Sequence, residues 1–466
     1  MSRRWQVFLV TSVAVFMTFL DVTIVNIAFP DLRASFPASS LGRLSWIINA
    51  YTIVFAAGLV PAGRLADRFG RRRFFFIGTF VFLGASAVCG AALSVDMLIA
   101  ARAVQALGGA MLVPASLGLL LPEFPLERRA TATALWGATG AVAAAAGPSL
   151  GGVLVDWQGW RSVFFVNLAI GLPALIPARR LLRESREPQT QFPDAVGAAL
   201  LALGVGALAL AIVQGPSWGW GSARIVGCFV ASALLLGTFL WRSTRVPAPV
   251  IELSLFRVRS FAVANLGGFV FALGFFALLL CNVLFLTGVW HYSILKAGVA
   301  LTPGPLMAAL SSPVGGRLSD RFGQRVVAVP GGLLFASGAL LFALRTGTHP
   351  DFVAEFLPAN MLGGTGVGLA FAGFGSAALA ELPRNRYSTG GAISNCTRQI
   401  GGVLGISTLI AVLGTPAPAE ALHVFHRAWV LMALTGLVAA LTGLALGRVR
   451  ARYGEEVALV AGGPSL

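Results

Sequence analysis

Long apolar stretches separated by short polar linkers make up most of this chain. Fourteen such stretches can be counted, and most approach or exceed the roughly 20 residues that a helix needs to cross a bilayer. Because backbone groups in hydrocarbon must form their hydrogen bonds within the segment, each stretch is predicted to be an α-helix. The segments lie at about 7–29, 44–62, 74–94, 97–121, 130–155, 161–180, 195–213, 224–241, 261–286, 297–314, 326–344, 354–380, 390–413 and 428–447.

One charged string between apolar segments occurs twice. GRLADRFGRRR occupies residues 63–73, after the second segment, and GRLSDRFGQRV occupies residues 316–326, after the tenth. Eight positions match at a constant offset of 253 residues. Matching halves are typical of transporters built from internal repeats. The predicted fold class is an all-α integral membrane protein with fourteen transmembrane helices, arranged as two pseudo-symmetric six-helix bundles plus two inserted helices.

The repeat also predicts where the units of the chain begin and end. The shortest pair of apolar segments follows the most polar linker, so this pair is interpreted as an insert between the two bundles. The predicted units are an N-terminal six-helix bundle at 1–180, a cytoplasmic linker at 181–194, two inserted helices at 195–241, a cytoplasmic linker at 242–259, a C-terminal six-helix bundle at 260–450 and a cytoplasmic tail at 451–466.

Composition agrees with a membrane protein and charge fixes its orientation. Of the 466 residues, 57% are hydrophobic and 11% are charged, against about 25% charged in soluble domains. The net charge of +16 raises the possibility of nucleic-acid binding, but the basic residues lie between apolar runs rather than on one patch, so no nucleic-acid partner is predicted. With the N-terminus inside, 25 of the 34 Lys and Arg residues fall in cytoplasmic segments and seven fall outside. This bias predicts that both termini are cytoplasmic.

Asp21 is the one acid, among 18, that lies well inside an apolar segment. An ionisable group at such a depth costs at least about 2.5–3.5 kcal/mol and indicates a function. Burial favours the protonated carboxyl and a nearby cation favours the carboxylate, so a group that alternates between these environments can carry a proton. Asp21 is therefore predicted to couple transport to protons, and the alternative is a structural ion pair.

Arg102 is the predicted partner of Asp21. Asp21 lies about 13 Å from the outer end of its helix and Arg102 about 8 Å from the outer end of the fourth, at 1.5 Å per residue. The two depths agree within the error of the segment boundaries. Gln105 and Gly109 share the helix face of Arg102. The alternative is that Arg102 extends outward to the membrane surface.

A second arginine lies close to the midplane of the thirteenth segment, in SNCTRQIGG at 394–402. Arg398 has no acid in the nearby segments, so backbone carbonyls, water or an anionic substrate group could be its partner. Its neighbours Asn395 and Gln399 are predicted to line a substrate cavity with it. No paired carboxylates, nucleotide-binding loop or metal-ligand cluster stands out, so no catalytic residue, metal or cofactor is predicted.

The repeated string resembles the short cytoplasmic loop that marks the major facilitator superfamily. Three further stretches, LDVTIVNIAFP (20–30), RAVQALGGAMLVPAS (102–116) and GATGAVAAAAGPSLGG (137–152), together with fourteen helices, resemble the drug:proton antiporter family of EmrB/QacA type. The likeness covers nearly the whole chain.

The resemblance implies roles for three groups of residues. It implies a conformational latch formed by Gly63, Asp67, Arg68, Gly70, Arg72, Asp320 and Arg321. The alternative for these loops is that their arginines only set the membrane orientation. It implies a smooth seam on the fifth helix, from Gly140, Gly147, Pro148, Gly151 and Gly152. It also implies that Gln105 and Gly109 face the cavity, together with Asn49, which stands where a carboxylate can occur in members that handle lipophilic cations.

The sequence thus predicts a proton-coupled exporter of small amphiphilic compounds, such as drugs or antibiotics, that works by alternating access. Neutral or anionic amphiphiles are at least as plausible as cations, because Asn49 is uncharged. The alternative function is a facilitator that imports or exchanges an anionic or neutral metabolite. The expected partners are a small-molecule substrate, protons and the lipid bilayer; the protein is expected to be a monomer in the inner (plasma) membrane and not an enzyme.

Overall fold

The computed structural model describes residues 2–125, 129–187, 191–382, 386–414 and 420–446. The predicted tail at 451–466 lies outside these residues. Within them the chain forms long α-helices joined by short loops, and none of these residues is in a β-strand. The helices are α1 (Arg3–Ser35), α2 (Leu41–Phe69), α3 (Arg71–Gly90), α4 (Val95–Leu120), α5 (Arg129–Gln158), α6 (Ser162–Leu181), α7 (Ala195–Trp218), α8 (Ala223–Ser243), α9 (Arg259–Gly288), α10 (Ile294–Leu301), α11 (Pro303–Phe322), α12 (Arg325–Arg345), α13 (Leu357–Ala380), α14 (Tyr387–Leu413) and α15 (Ala421–Leu444).

Fourteen stretches of helix in the described ranges are long and apolar enough to cross a membrane, with α10 and α11 together forming one of them, Ile294–Phe322. The all-α fold with fourteen spans is therefore confirmed. Several helices extend past the apolar segments that predicted them, as α1 shows. It begins at Arg3, whose guanidinium donates to Leu181 O at 2.7 Å and to Glu123, so polar anchors continue the helix beyond its apolar part.

The tenth predicted segment is not one continuous helix. It is interrupted at Thr302, ahead of Pro303 and Pro305, which have no backbone N–H to donate to the preceding turn. The Asn360 amide of α13 compensates, because its Nδ2 donates to the carbonyls of Ala300 and Leu301, each at 3.2 Å. The two prolines indicate this break, whereas the apolar pattern alone predicts a continuous helix.

The two halves, α1–α6 and α9–α15, repeat the same packing. In the first half α3 packs on α4, and in the second α12 packs on α13, each through glycines. A Cβ on Gly108 would lie 2.9 Å from Gly78 O, and a Cβ on Gly366 would lie 2.7 Å from Gly331 O. Gly78 and Gly331 are 253 residues apart, which is the offset of the charged string. The pseudo-symmetry read from the string therefore extends into the helix packing.

The two halves meet along a seam formed by α2 with α14 and by α5 with α10 and α11. One end of the molecule carries both charged strings, 63–73 and 316–326, and we call it the loop end; the opposite end is the far end. Polar and glycine contacts between the halves cluster toward the far end. A Cβ on Gly152 of α5, for example, would lie 3.1 Å from Leu295 Cα of α10.

The inserted helices α7 and α8 lie outside this seam. α7 packs against both α2 and α14, and α8 packs on α7. Ser232 of α8 donates to Gly204 O of α7 at 2.8 Å, and Arg242 pairs with Asp194 at 2.8 Å where the two helices meet the loop end. The insert therefore touches both halves, while α8 exposes apolar side chains to the surroundings.

Candidate functional site

A buried polar cluster lies in the N-terminal half, around Asp21 of α1. Its carboxylate pairs with Nη1 of Arg102 and accepts hydrogen bonds from Gln105 Nε2 at 2.8 Å and Asn167 Nδ2 at 3.0 Å. None of these four side chains is more than 1% exposed. The structure thus brings Asp21 and Arg102 together, as their depths along the helices predict.

Further contacts fix the orientation of the amides. Ser86 of α3 accepts from Gln105 at 3.1 Å and from Asn167 at 3.0 Å, and its hydroxyl donates to Phe164 O at 2.9 Å. Gln105 Oε1 in turn accepts from Arg102 at 2.8 Å. Four helices, α1, α3, α4 and α6, therefore hold one carboxylate.

Arg102 connects this cluster to α2. Its Nε donates to Ile47 O at 3.1 Å, and its guanidinium carbon lies 4.0 Å from the centroid of the Tyr51 ring. Ile47 is half a helical turn from Asn49, which lies on the seam with the other half. A movement of α2 along the seam would consequently act directly on the partner of Asp21.

Three side-chain donors, on Arg102, Gln105 and Asn167, surround the buried carboxylate of Asp21. Asp21 has no exposed surface in this conformation. The cluster is therefore closed to the surroundings in this conformation.

Sequence reasoning missed Asn167 and Ser86. Asn167 is a lone amide in the apolar run of α6, and a polar side chain at that depth was the available signal. Of the residues expected in a cavity, Gln105 takes part in the polar cluster in this conformation, and its role in a cavity stays a prediction. Gly109 faces Tyr51 and Thr18, because a Cβ there would lie 3.1 Å from the Tyr51 hydroxyl oxygen and 3.3 Å from Thr18 Cγ2.

Asn49 lies on the seam, fully buried, where it meets the other half. Its Nδ2 donates to Ser407 Oγ of α14 at 3.2 Å, and Ser149 of α5 hydrogen-bonds Thr302 at the α10–α11 break. Asn49 and Thr302 are 253 residues apart, and Ser149 and Ser407 are 258 apart. The two bonds are thus pseudo-symmetric copies, and we call them the seam bonds.

The small residues predicted on α5 form two rows. A Cβ on Gly140 would lie 3.2 Å from the Phe19 ring, and one on Gly151 would lie 2.8 Å from Ile24 Cγ1, so one row packs on α1. Gly147, which faces Thr23, belongs to this row as well. Pro148 and Gly152 form the other row, which contacts α10. Small side chains let three helices approach closely here.

Arg398 lies in α14 with no acidic partner among the described residues. Its guanidinium carbon is 5.4 Å from the centroid of the Phe371 ring, and its stem lies beside Gly268. Gln399 is buried with its Oε1 unpaired, and Asn395 is partly buried one turn before Arg398. The C-terminal half thus holds a cation and a free amide oxygen, in contrast to the closed Asp21 cluster.

The first charged string is held by the linker after α6. Asp67 accepts from Arg71 Nε at 2.7 Å, Arg71 pairs with Glu187 at 2.9 Å, and Glu187 N donates to Asp67 O at 2.6 Å. The Glu184 carboxylate accepts from the Arg72 and Arg73 amides at 3.0 and 3.2 Å, which caps the start of α3.

Glycine is required at the bend of this string. Gly70 has a φ of 120°, and a Cβ there would lie 2.7 Å from the Glu184 carboxyl carbon. Gly63 is packed on Pro114, where a Cβ would lie 3.3 Å from Pro114 Cβ. Arg68 has its guanidinium carbon 4.0 Å from the centroid of the Phe192 ring.

The second charged string is more open. Asp320 is exposed and has no hydrogen bond or ion pair within the described ranges, while Arg321 stacks on Phe322, with its guanidinium carbon 5.2 Å from the ring centroid. The two copies therefore differ in their contacts, although their sequences match. Among the residues that the structure describes, no group of three or more His, Cys, Asp or Glu side chains could hold a metal.

Comparison with known proteins adds independent information. Residues 11–406 match the family model described as Major Facilitator Superfamily. The chain is 33% identical over 404 residues to the multidrug resistance protein Stp of Mycobacterium tuberculosis, covering 86% of this chain and 74% of that protein. It is 32% identical over 429 residues to the tetracenomycin C resistance and export protein of Streptomyces glaucescens, covering 92% and 78%.

Two further matches agree. The multidrug export protein EmrB of Haemophilus influenzae is 32% identical over 402 residues, covering 86% of this chain and 78% of that protein. Among solved structures, a bacterial homologue of the human lysosomal transporter Spinster, in an inward-facing and unoccupied conformation, superimposes with a TM-score of 0.68 at 16% identity. That match covers 96% of this chain and 98% of the other, and it supports the fold alone.

Proposed function

The chain belongs to the major facilitator superfamily, and on that premise we propose that it exports small amphiphilic compounds in exchange for protons. Its relatives are multidrug and antibiotic resistance proteins, which supports drug efflux by a non-enzymatic membrane transporter. The exported compounds would be drugs or antibiotics, and the exchange would proceed by alternating access between the two halves.

The observation that carries the proton coupling is the Asp21 cluster. A titratable acid lies in the middle of a membrane-spanning bundle, and its cationic partner is bonded to a helix of the seam. A purely structural ion pair needs no such connection to the moving interface.

The proposed cycle starts from the present conformation, with the seam bonds made at the far end. When α2 shifts along α14, Ile47 draws Arg102 with it through the Nε–carbonyl bond, and Arg102 separates from Asp21. The carboxylate then lies in an apolar environment without its cation, and it takes up a proton. The reverse movement restores the ion pair and expels the proton.

The energies of ion-pair separation and of proton movement are large enough to drive the proposed cycle. Removing one partner of a buried ion pair costs about 3–5 kcal/mol, and protonation relieves this cost by neutralising the carboxylate. One charge crossing 100 mV supplies about 2.3 kcal/mol, which sustains a substrate gradient of about 50-fold. One proton through Asp21 is therefore enough for useful export.

We place the loop end at the cytoplasmic side of the inner (plasma) membrane, with both termini cytoplasmic. The excess of arginine in the corresponding segments supports this orientation. The insert at 195–241 serves as a support that contacts both bundles, and a monomer suffices because each chain carries both halves. In this orientation the seam bonds close the outer side of the transporter.

Asp21→Asn tests the proton coupling, because the amide keeps the shape of the side chain but cannot carry a proton. Cells expressing the protein are first exposed to tetracenomycin C, methylenomycin A and ethidium, with and without a protonophore, to identify an exported compound. That compound is then used in proteoliposomes with an imposed pH gradient. We expect Asp21→Asn to bind it and exchange it at equilibrium but to lose gradient-driven export.

Two variants serve as controls. Asp21→Glu retains a titratable carboxyl and is expected to keep part of the export, whereas Asp96→Asn removes an acid paired with Arg43 at the exposed far end and is expected to keep all of it. Normal pH-driven export by Asp21→Asn would show that the pair is only structural.

Arg398 favours a second candidate function, a facilitator that imports or exchanges an anionic metabolite. A cation without an acidic partner could bind a substrate carboxylate or phosphate. This function predicts uptake along the proton gradient and no resistance on overexpression. Arg398→Gln would then abolish uptake of anions, whereas in an exporter of neutral compounds it would change their export only modestly.

A further inference from the structure

A cavity of about 730 Å³ lies at the loop end, apart from the Asp21 cluster. It is a half-open space lined by parts of the chain that are distant in sequence: α2, the linker before α7, the end of α8, the linker between α8 and α9, and the start of α14. Its wall is anchored by Val250 of that second linker, which is buried in the same apolar cluster as residues of α2 and α14. We call this space the linker cavity.

The charged side chains that line the linker cavity are three arginines and one glutamate. Arg386 forms two hydrogen bonds to the Glu252 carboxylate, at 2.8 and 2.9 Å. Arg64 and Arg257 form no hydrogen bond or ion pair with any residue that the structure describes, although the charges of Glu252 and Arg386 act on Arg64. The lining therefore carries two positive charges in excess.

Two polar atoms of residues that line the cavity are buried and have no hydrogen-bond partner among the residues that the structure describes. They are Nη1 of Arg64 and the hydroxyl oxygen of Ser243, a residue that is only 6% exposed. Buried polar groups in proteins are nearly always hydrogen-bonded, so unpaired atoms on residues that line a cavity indicate a missing partner. An anionic oxygen in the cavity would satisfy both of them once the side chains of Arg64 and Ser243 turn toward it.

An apolar stripe on α8 ends beside the linker cavity. Val230, Leu234 and Trp241 are 52%, 66% and 60% exposed, and their spacing places them on one face of the helix. Trp241 lies less than one turn from Thr244, which lines the cavity. An acyl chain could lie along this stripe while its headgroup occupies the cavity.

We propose that the linker cavity binds the phosphate group of an anionic phospholipid. Basic pockets between transmembrane helices on the cytoplasmic side bind such headgroups, and Arg forms strong charge-assisted bonds to phosphate. Arg64 belongs to the N-terminal half and Arg386 to the C-terminal half. Because Glu252 already neutralises Arg386, the bound phosphate would pair with Arg64 and Arg257, the two cations of the lining that have no acidic partner among the described residues. This site is independent of the proposed export.

Native mass spectrometry of the full-length protein in detergent tests the proposal. The protein is titrated with phosphatidylglycerol or phosphatidylcholine, and retained lipid is counted. We expect one phosphatidylglycerol to bind about tenfold more tightly than phosphatidylcholine, because both lipids carry the phosphate but the two excess positive charges of the lining repel the choline cation. The double variant Arg64→Gln/Arg257→Gln is expected to lose that preference.

The matched control is Arg317→Gln/Arg325→Gln, which removes two exposed arginines from the same end of the molecule but outside the cavity. It should leave the preference unchanged; an equal loss in both double variants would overturn the site. If the first double variant does not fold, the exposed Arg257→Gln alone is used, with Arg257→Lys expected to retain binding.

A competition with inorganic phosphate distinguishes the source of the phosphate group. Retention of phosphatidylglycerol in millimolar phosphate supports the lipid. Displacement, together with equal binding of the two lipids, assigns the cavity to a soluble phosphate and overturns the lipid proposal. Because every readout is binding, failure here leaves the proton-coupled export unaffected.

Discussion

Arg102 in α4 and Asn360 in α13 have matching contacts in the two halves. Arg102 Nε donates to Ile47 O at 3.1 Å, and Asn360 Nδ2 donates to Ala300 O at 3.2 Å. The two carbonyl groups are 253 residues apart, the same offset as the charged strings. One position of the repeat thus carries a cation in the first half and a neutral amide in the second.

The surroundings of the two positions differ as well. The C-terminal half fills its interior with aromatic rings: the centroids of Phe271 and Phe335 are 4.8 Å apart, and Trp429 stacks on Phe342 at 5.4 Å. The indole of Trp429 donates to Asn282 at 2.9 Å. Neither α9 beyond Arg259 nor α13 contains a charged residue.

The buried ion pair lies in one half of the molecule and the helix break lies in the other. The N-terminal half keeps α2 continuous and places its ion pair against it, while the C-terminal half breaks the matching span at Thr302 and uses Asn360 to satisfy the freed carbonyls. We therefore expect charge changes to act through the first half and changes of backbone geometry to act through the second.

Arg102→Gln should give the largest effect. It leaves Asp21 buried without a cation, and breaking a buried pair costs about 3–5 kcal/mol. We expect a marked fall in the melting temperature of the purified protein at neutral pH, with part of it regained at acid pH as the carboxyl becomes protonated. Adding Asp21→Asn should restore most of the loss; a double variant as unstable as the single one would contradict this assignment.

The apolar pattern and the charged repeat were enough to predict the fourteen spans and the pseudo-symmetry. Depth along the helices was enough to pair Asp21 with Arg102, because both lie in long helices of known rise. Asn167 and Ser86 could not be assigned in the same way, since their contacts depend on how four helices rotate about their axes.

The two charged strings show that a sequence repeat predicts backbone conformation better than it predicts side-chain contacts. Matching sequences predict matching loops, and Gly70 and Gly323 both adopt positive φ values as expected. The partners of Asp67, however, include the linker after α6, which the repeat does not contain. The latch role predicted for both copies remains a prediction, while their contacts in this conformation differ.

Asn360→Leu should give the second largest effect, and it tests the helix break separately from the ion pair. The carbonyls of Ala300 and Leu301 lose their side-chain donor, at a cost of about 1–3 kcal/mol for buried polar groups. Asn265→Leu is the matched control, because Asn265 bonds only Phe261 O within its own helix among the described residues. We expect a clear fall in melting temperature for Asn360→Leu and a smaller one for Asn265→Leu, both insensitive to pH. A fall in melting temperature that depends on pH in Asn360→Leu would contradict the expectation that only the N-terminal half responds to charge.

The seam bonds predict smaller, equal effects from the two halves. Ser407→Ala removes the partner of Asn49, and Ser149→Ala removes the partner of Thr302. Each loss is worth about 0.5–1.5 kcal/mol, or roughly a two- to tenfold shift toward an open far end. The measurement is the alkylation rate of a cysteine introduced at Leu295, in a protein without its native cysteines. Acceleration by one variant alone would mean that the bonds are not equivalent.

The charged strings should give the smallest effect, and there the two halves should differ. Asp67→Asn removes the pair with Arg71, which is partly exposed, so the loss is about 0–1 kcal/mol. Asp320→Asn removes no pair among the described residues and should leave the melting temperature unchanged. Since exposed pairs are screened by ions, the difference between the two variants should shrink in high salt. Equal destabilisation by both would show that Asp320 gains a partner in solution, and the two strings would then be equivalent in contacts as well as in sequence.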